Sequence, residues 1–157
     1  MVKLIKSTFY NEGETKKKLC DFIKKAEVLS FSSQCQEFEK NFAKWQKRKH
    51  CIFLNSGSSA NLAIIQALLN EDSIKKGDNV GFSALTWSTN VMPIIQLGLN
   101  AVPIDVELNT LNISSRTLRQ VIEKYSLKML FITNLLGFCD DMDEIRKICD
   151  EKKIILI

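Results

Sequence analysis

The stretch FLNSGSSANLAII, Phe53 to Ile65, runs from apolar residues through a set of small polar ones into a second apolar run. Its first part reads as the end of a short strand, CIFL from Cys51 to Leu54. The residues from Ser59 to Leu69 read as the helix that follows. The same alternation repeats downstream. NVGF (Asn79 to Phe82) is strand-like after the turn signal KKGD, and Ser88 to Leu97 is helical, with Pro93 to be accommodated by a kink or a late start. NAVPID (Asn100 to Asp105) reads as a strand that Pro103 confines to an edge or terminal position. Ser114 then caps a helix to Tyr125, KMLFIT (Lys128 to Thr133) is a strand, Asp141 to Glu151 a helix, and IILI a closing strand. Apolar strands alternating with helices predict an α/β fold, a three-layer α-β-α arrangement around a mostly parallel sheet.

Two amphipathic helices precede this pattern. Leu19, Phe22, Ile23 and Ala26 recur at helical spacing between Glu12 and Leu29. A second helix, with Ser32 or Ser33 as its cap, places Phe38, Phe42 and Trp45 on one face. These aromatic residues read as core, not as a binding box. The organisation expected is a helical segment over 1–50 and a larger domain over 51–157.

At 157 residues and 45% hydrophobic content, the chain can bury roughly two-thirds of its unfolded surface. The net charge of +4 is spread along it apart from Lys16-Lys17-Lys18 and the run Lys44 to His50, which read as solvated helix ends. Without an aromatic reading surface or a known motif they give no case for nucleic acid as a partner. The five cysteines, Cys20, Cys35, Cys51, Cys139 and Cys149, form no CxxC pair, and only one histidine, His50, is present. They are expected to be reduced, buried thiols of a cytoplasmic protein, with no metal site. The N-terminal apolar run is too short for a signal peptide, and no run approaches the ~20 residues that span a bilayer.

Ligands of parallel α/β sheets lie beyond the carboxyl ends of the strands. At the first such end, a helix starting at Ser58 or Ser59 leaves its leading N–H groups unpaired, and Gly57 admits a ligand close to the backbone. With the serine hydroxyls they form a receptor for an anion such as phosphate. The same serines would also serve as a plain helix cap. Phosphate-loop, dinucleotide and nucleophile-elbow motifs all fail on spacing. At the second end, in SALTWSTN, the indole of Trp87 is either a core or rim residue or a surface for stacking on a flat ring. Asp140, Asp141, Asp143 and Glu144 stand where a helix begins, where negative charge is favourable without any ion.

Taken together, LNSGSSANL (Leu54 to Leu62), KGDNV with ALTW, PIIQLGLNAVPIDVELNTLNI (Pro93 to Ile113) and LGFCDDMDEI running into KKIILI resemble the DegT/DnrJ-type family of sugar aminotransferases, within the fold-type I enzymes that use pyridoxal 5'-phosphate (PLP). The likeness extends in order and spacing over nearly the whole chain. It implies that Gly57, Ser58 and Ser59 hold the cofactor phosphate, Gly57 permitting the turn, and that Trp87 stacks on its pyridine ring. At Asn134, where many relatives carry histidine, the chain departs from the family.

The resemblance further implies an N-terminal portion of the PLP-binding large domain, with the small C-terminal domain absent. The aspartate that meets the pyridine nitrogen and the Schiff-base lysine fall beyond Ile157, so no catalytic residue is expected within the chain and no turnover from it alone. The parent is expected to be a homodimer that moves an amino group from an amino-acid donor to a nucleotide-linked keto-sugar in polysaccharide biosynthesis. The alternatives are a dehydratase of the same family, in which a histidine replaces the lysine, and a non-catalytic remnant.

Overall fold

Residues 9–157 are described by the computed structural model, so the apolar run at positions 2–5 lies outside the described residues. The chain divides into two compact units, Met1–Phe53 and Leu54–Ile157.

In the first unit, α1 (Glu12–Lys25) carries acids in its first turn and lysines in its last, which suits the helix dipole, and Glu12–Lys16 and Glu14–Lys18 pair along its surface. The next helix, α2 (Ser33–Trp45), follows Ser32 as cap residue. The amphipathic faces exist as expected, but they are not a closed core. Leu19, Phe22, Ile23, Phe38, Phe42 and Trp45 all remain exposed, and Ala43 is the buried residue of α2. Two short helices offer too little surface to enclose so many large side chains. The aromatic rings instead meet one another: Phe38 stacks on Phe42 at 5.5 Å, and Phe53 approaches Phe38 edge-on at 5.2 Å.

The expected strand CIFL does not form. A strand exists only where its backbone finds a ladder partner, and among the described residues none pairs with 51–54. The N–H of Phe53 is spent on the Glu39 carboxylate at 2.7 Å.

The second unit follows the predicted alternation. Its elements are α3 (Gly57–Asn70), β1 (Asn79–Ser83), α4 (Ser88–Gln96), β2 (Asn100–Ile104), α5 (Ser115–Ile122), β3 (Leu127–Phe131), α6 (Met142–Lys152) and β4 (Ile155–Leu156). The strands lie in the order β2-β1-β3-β4 and every pairing is parallel. Pro103 sits on the edge strand β2, where its missing donor costs no ladder bond on the open side. Ser114 opens α5 through a reciprocal capping box with Thr117.

Alternating strand residues feed two cores on opposite faces of the sheet. Ile65, Ile74, Val80, Ile94, Leu99 and Met129 fill the one that α3 and α4 cover. On the other face Val102, Ile104, Leu118, Leu130, Ile145 and Ile148 pack with α5 and α6. Helices therefore cover both faces, and the fold is three-layered.

The acidic cluster is engaged locally. Asp140 accepts from the Thr110 hydroxyl at 2.8 Å, Asp141 from the Ser115 N–H at 2.8 Å, and Glu144 pairs with Arg119. Arg116 and then the Ser114 hydroxyl hold the Glu107 carboxyl below the usual carboxylate range. Among the described residues no helix is long and apolar enough to cross a membrane.

The cysteines depart from expectation. Only Cys149 is buried; Cys20 and Cys139 are exposed, while Cys35 and Cys51 are half-buried, because they sit on a solvated helix face, near helix starts or in loops. Burial pushes the Cys149 thiol up to about 11. At pH 8 only about one such thiol in a thousand is ionised. Iodoacetamide at that pH is expected to modify Cys20 and Cys139 within minutes and Cys149 only after denaturant is added, as peptide mapping by mass spectrometry will show.

Candidate functional site

The start of α3 is set two residues earlier than the sequence pattern suggests. Ser56 is the cap: its hydroxyl oxygen accepts from the Ser59 N–H at 3.2 Å, and its carbonyl accepts from the Ala60 N–H at 3.1 Å. Neither Ser58 nor Ser59 is the cap residue. Among the described residues no acceptor meets the N–H of Gly57 or of Ser58. Ser56 also donates its proton to the Ser59 hydroxyl oxygen at 3.1 Å, which leaves Ser59 with its own proton to give. The first turn thus offers two amides and two hydroxyl protons, at the positive end of a helix of 14 residues.

Gly57 is not needed for a turn. Its backbone is helical, and a Cβ there would meet nothing within 4 Å. What it contributes is the absence of bulk beside the unpaired amides. Ser58 and Ser59 also line a cleft of about 250 Å³ between α3 and α4, with Leu62, Thr89, Met92 and Gln96 opposite and around them.

Trp87 is the residue before α4, on the segment that leaves β1, and is 72% exposed. An indole that open is not a core residue. Ser58 and Ser59 share the wall of that cleft, and Trp87 is not one of its lining residues.

What the sequence pattern did not reveal is the polar network between them. Asn61 of α3 donates to Asn90 Oδ1 of α4 at 2.7 Å, and Asn90 donates to the hydroxyl oxygens of Thr86 at 2.8 Å and Thr133 at 3.1 Å. The two hydroxyls share a bond of 2.6 Å, and the Ser83 hydroxyl oxygen accepts from the Thr133 N–H at 3.0 Å. A proline inside α4 was the one available signal, since it orphans a carbonyl that some side chain must satisfy.

A second missed residue is Asn112, only 1% exposed. Its Oδ1 accepts from the Leu135 N–H at 2.8 Å. This bond holds the turn that follows the exposed Asn134, where Leu136 and Gly137 take left-handed backbone angles of +54° and +83°.

Thr86 and Thr133 stand beyond the carboxyl ends of β1 and β3. The sequence model of the DegT/DnrJ/EryC1/StrS aminotransferase family matches residues 10–157. The chain belongs to that family.

Among its relatives is a GDP-4-keto-6-deoxy-D-mannose 3-dehydratase of Escherichia coli O55:H7, 35% identical over 134 residues, which are 84% of this chain and 34% of the relative. A GDP-perosamine synthase of Vibrio cholerae is 29% identical over 146 residues, covering 93% of this chain and 38% of that protein. The crystal structure of a GDP-4-keto-6-deoxymannose-3-dehydratase with a trapped PLP-glutamate geminal diamine superposes with a TM-score of 0.84 at 32% identity, over 99% of this chain and 40% of the other. This DegT/DnrJ/EryC1/StrS family member thus spans about a third of the length of the curated relatives it matches.

Proposed function

We propose that the second unit is the phosphate- and ring-gripping part of a PLP site, in a protein that transfers an amino group to a nucleotide-linked keto-sugar. The observation that carries this is the pair of unpaired amides at Gly57 and Ser58, beside two serine hydroxyls. They would hold the cofactor phosphate, and Trp87 would lie against its pyridine ring. The donors fit the group: among the described residues all four protons are uncommitted and no side chain crowds Gly57, and the helix terminus favours a dianion by ~0.3–1 kcal/mol. When bound, PLP supplies the electron sink for bond changes next to an amino group. The residues of this chain bind and orient it.

The acceptor sugar, the amino-acid donor and a homodimeric parent belong to the same proposal, supported by family membership. Five free thiols support a cytoplasmic setting.

A second reading, dehydration of the sugar with the same cofactor, is favoured by the identities: 35% to the Escherichia coli 3-dehydratase against 29% to the perosamine synthase. The coding sequence beyond Ile157 separates the two. An aspartate followed by a later lysine supports amino transfer, a histidine in the lysine's place supports dehydration, and a stop codon overturns both for this polypeptide.

Binding is tested with deoxypyridoxine phosphate, which lacks the aldehyde and so cannot react with surface lysines. With Trp45 replaced by Phe, Trp87 is the one tryptophan left. Saturable quenching of its emission is expected, and pyridoxine without the phosphate should bind at least about tenfold more weakly. Equal binding of the two, or no saturation, would overturn the phosphate assignment.

A further inference from the structure

Proline within a helix leaves the carbonyl four residues before it without a backbone donor. In α4 that carbonyl is Thr89's, ahead of Pro93, and Asn61 Nδ2 supplies the missing proton from α3 at 3.3 Å. The other proton of this amide goes to Asn90, whose own two amide protons go to Thr86 and Thr133. Both asparagines thus spend every side-chain proton inside one network. The network ties together the early turns of α3 and α4, the C-terminal ends of β1 and β3, and the residue immediately before Trp87.

We propose that Asn61 and Asn90 are positioning residues that lock the Trp87 segment to the first turn of α3, so that the ring-facing and phosphate-facing parts of the site keep one spacing. The proposal rests on the cofactor reading above. Satisfying the Thr89 carbonyl requires Asn61 alone; the continuation through Asn90 to Thr86 goes beyond what that repair needs. Trp87, largely exposed, has little packing of its own to hold its backbone, and Thr86 is where the anchoring reaches it. A site held at the spacing of its ligand loses less freedom on binding.

Hydrogen exchange on the full chain tests this without any ligand. In Asn90→Ala, and in Thr86→Val, which removes a hydroxyl while keeping the side-chain shape, the hydrogen-bonded amides at positions 84 and 90 and those at 59 and 60 should exchange faster together, by on the order of tenfold. Those of α5 and α6 should be unchanged. Affinity for deoxypyridoxine phosphate should fall by a similar factor, and Asn61→Ala combined with Asn90→Ala should bind no more weakly than either alone. Thr86→Val serves should Asn90→Ala fail to fold. Faster exchange at 84 and 90 with 59 and 60 unmoved, or effects of the two asparagines that simply add, overturns the coupling. If the unaltered chain shows no saturable binding, the cofactor reading fails, and the exchange data still decide whether the two segments are locked.

Discussion

Replacing Ser58 with aspartate is expected to make the second unit slightly more stable and, in the same molecule, to abolish its hold on a phosphorylated ligand. Ser58 lies in the first turn of α3, next to the cap Ser56, and its N–H and that of Gly57 have no acceptor among the described residues. A carboxylate at this position faces the positive end of the helix, which contributes about 0.3–1 kcal/mol. The same charge stands where the phosphate would bind, and like charges brought together cost several kcal/mol. Each 1.4 kcal/mol is tenfold in affinity, so binding should weaken on the order of a hundredfold or more. Ser58→Ala, which removes one hydroxyl donor and adds no charge, should lose only about tenfold. Urea denaturation and titration with deoxypyridoxine phosphate measure the two effects separately. Opposite signs identify an anion site. If Ser58→Asp binds as tightly as the unaltered chain, the anion sits elsewhere.

Leu130→Ala should cost about 2–5 kcal/mol, a large share of the ~5–15 kcal/mol that holds a typical domain together. Leu130 is 0% exposed on β3, between β1 and β4, in the core shared with α5 and α6. Its register partner on β1 is Gly81, where a methyl group would come within 2.9 Å of the Ile104 and Leu127 Cδ1 atoms and 3.3 Å of Leu130 Cδ1. Gly81→Ala alone should therefore destabilise by overpacking, by about 1–3 kcal/mol. In the double variant the space vacated by Leu130 lets Ile104 and Leu127 swing away from the new methyl. Its cost should fall short of the sum by roughly 0.5–3 kcal/mol. Denaturation midpoints of the three variants check this, and strict additivity would show that the two positions share no space.

Several features of the second unit are legible in the sequence. Ser114 stands at a helix start with a capping partner three residues on, and both the hydroxyl and the partner are local. Pro103 announces an edge because it lacks a donor, and β2 is an edge. The helix after NSGSS was legible too, but not its cap: Ser56, Ser58 and Ser59 are all suitable residues, and only the bond from Ser59 N–H to Ser56 Oγ selects the first. CIFL failed as a strand for a non-local reason. Its apolar run satisfies a periodicity test, yet a strand needs a neighbour, and Glu39, 14 residues away, takes the Phe53 amide instead.

Periodicity, capping and proline geometry act over a few residues. By itself, therefore, the sequence determined the alternation of helices and strands, the parallel three-layer arrangement, and the small-residue turn that could receive an anion. Tertiary structure alone decided which faces stay open in α1 and α2, where Asn112 is buried, and that Asn61 meets Asn90 across 29 residues of chain while Thr86 meets Thr133 across 47. A polar side chain's partner is set by which elements the sheet brings side by side, and no local pattern encodes that neighbour.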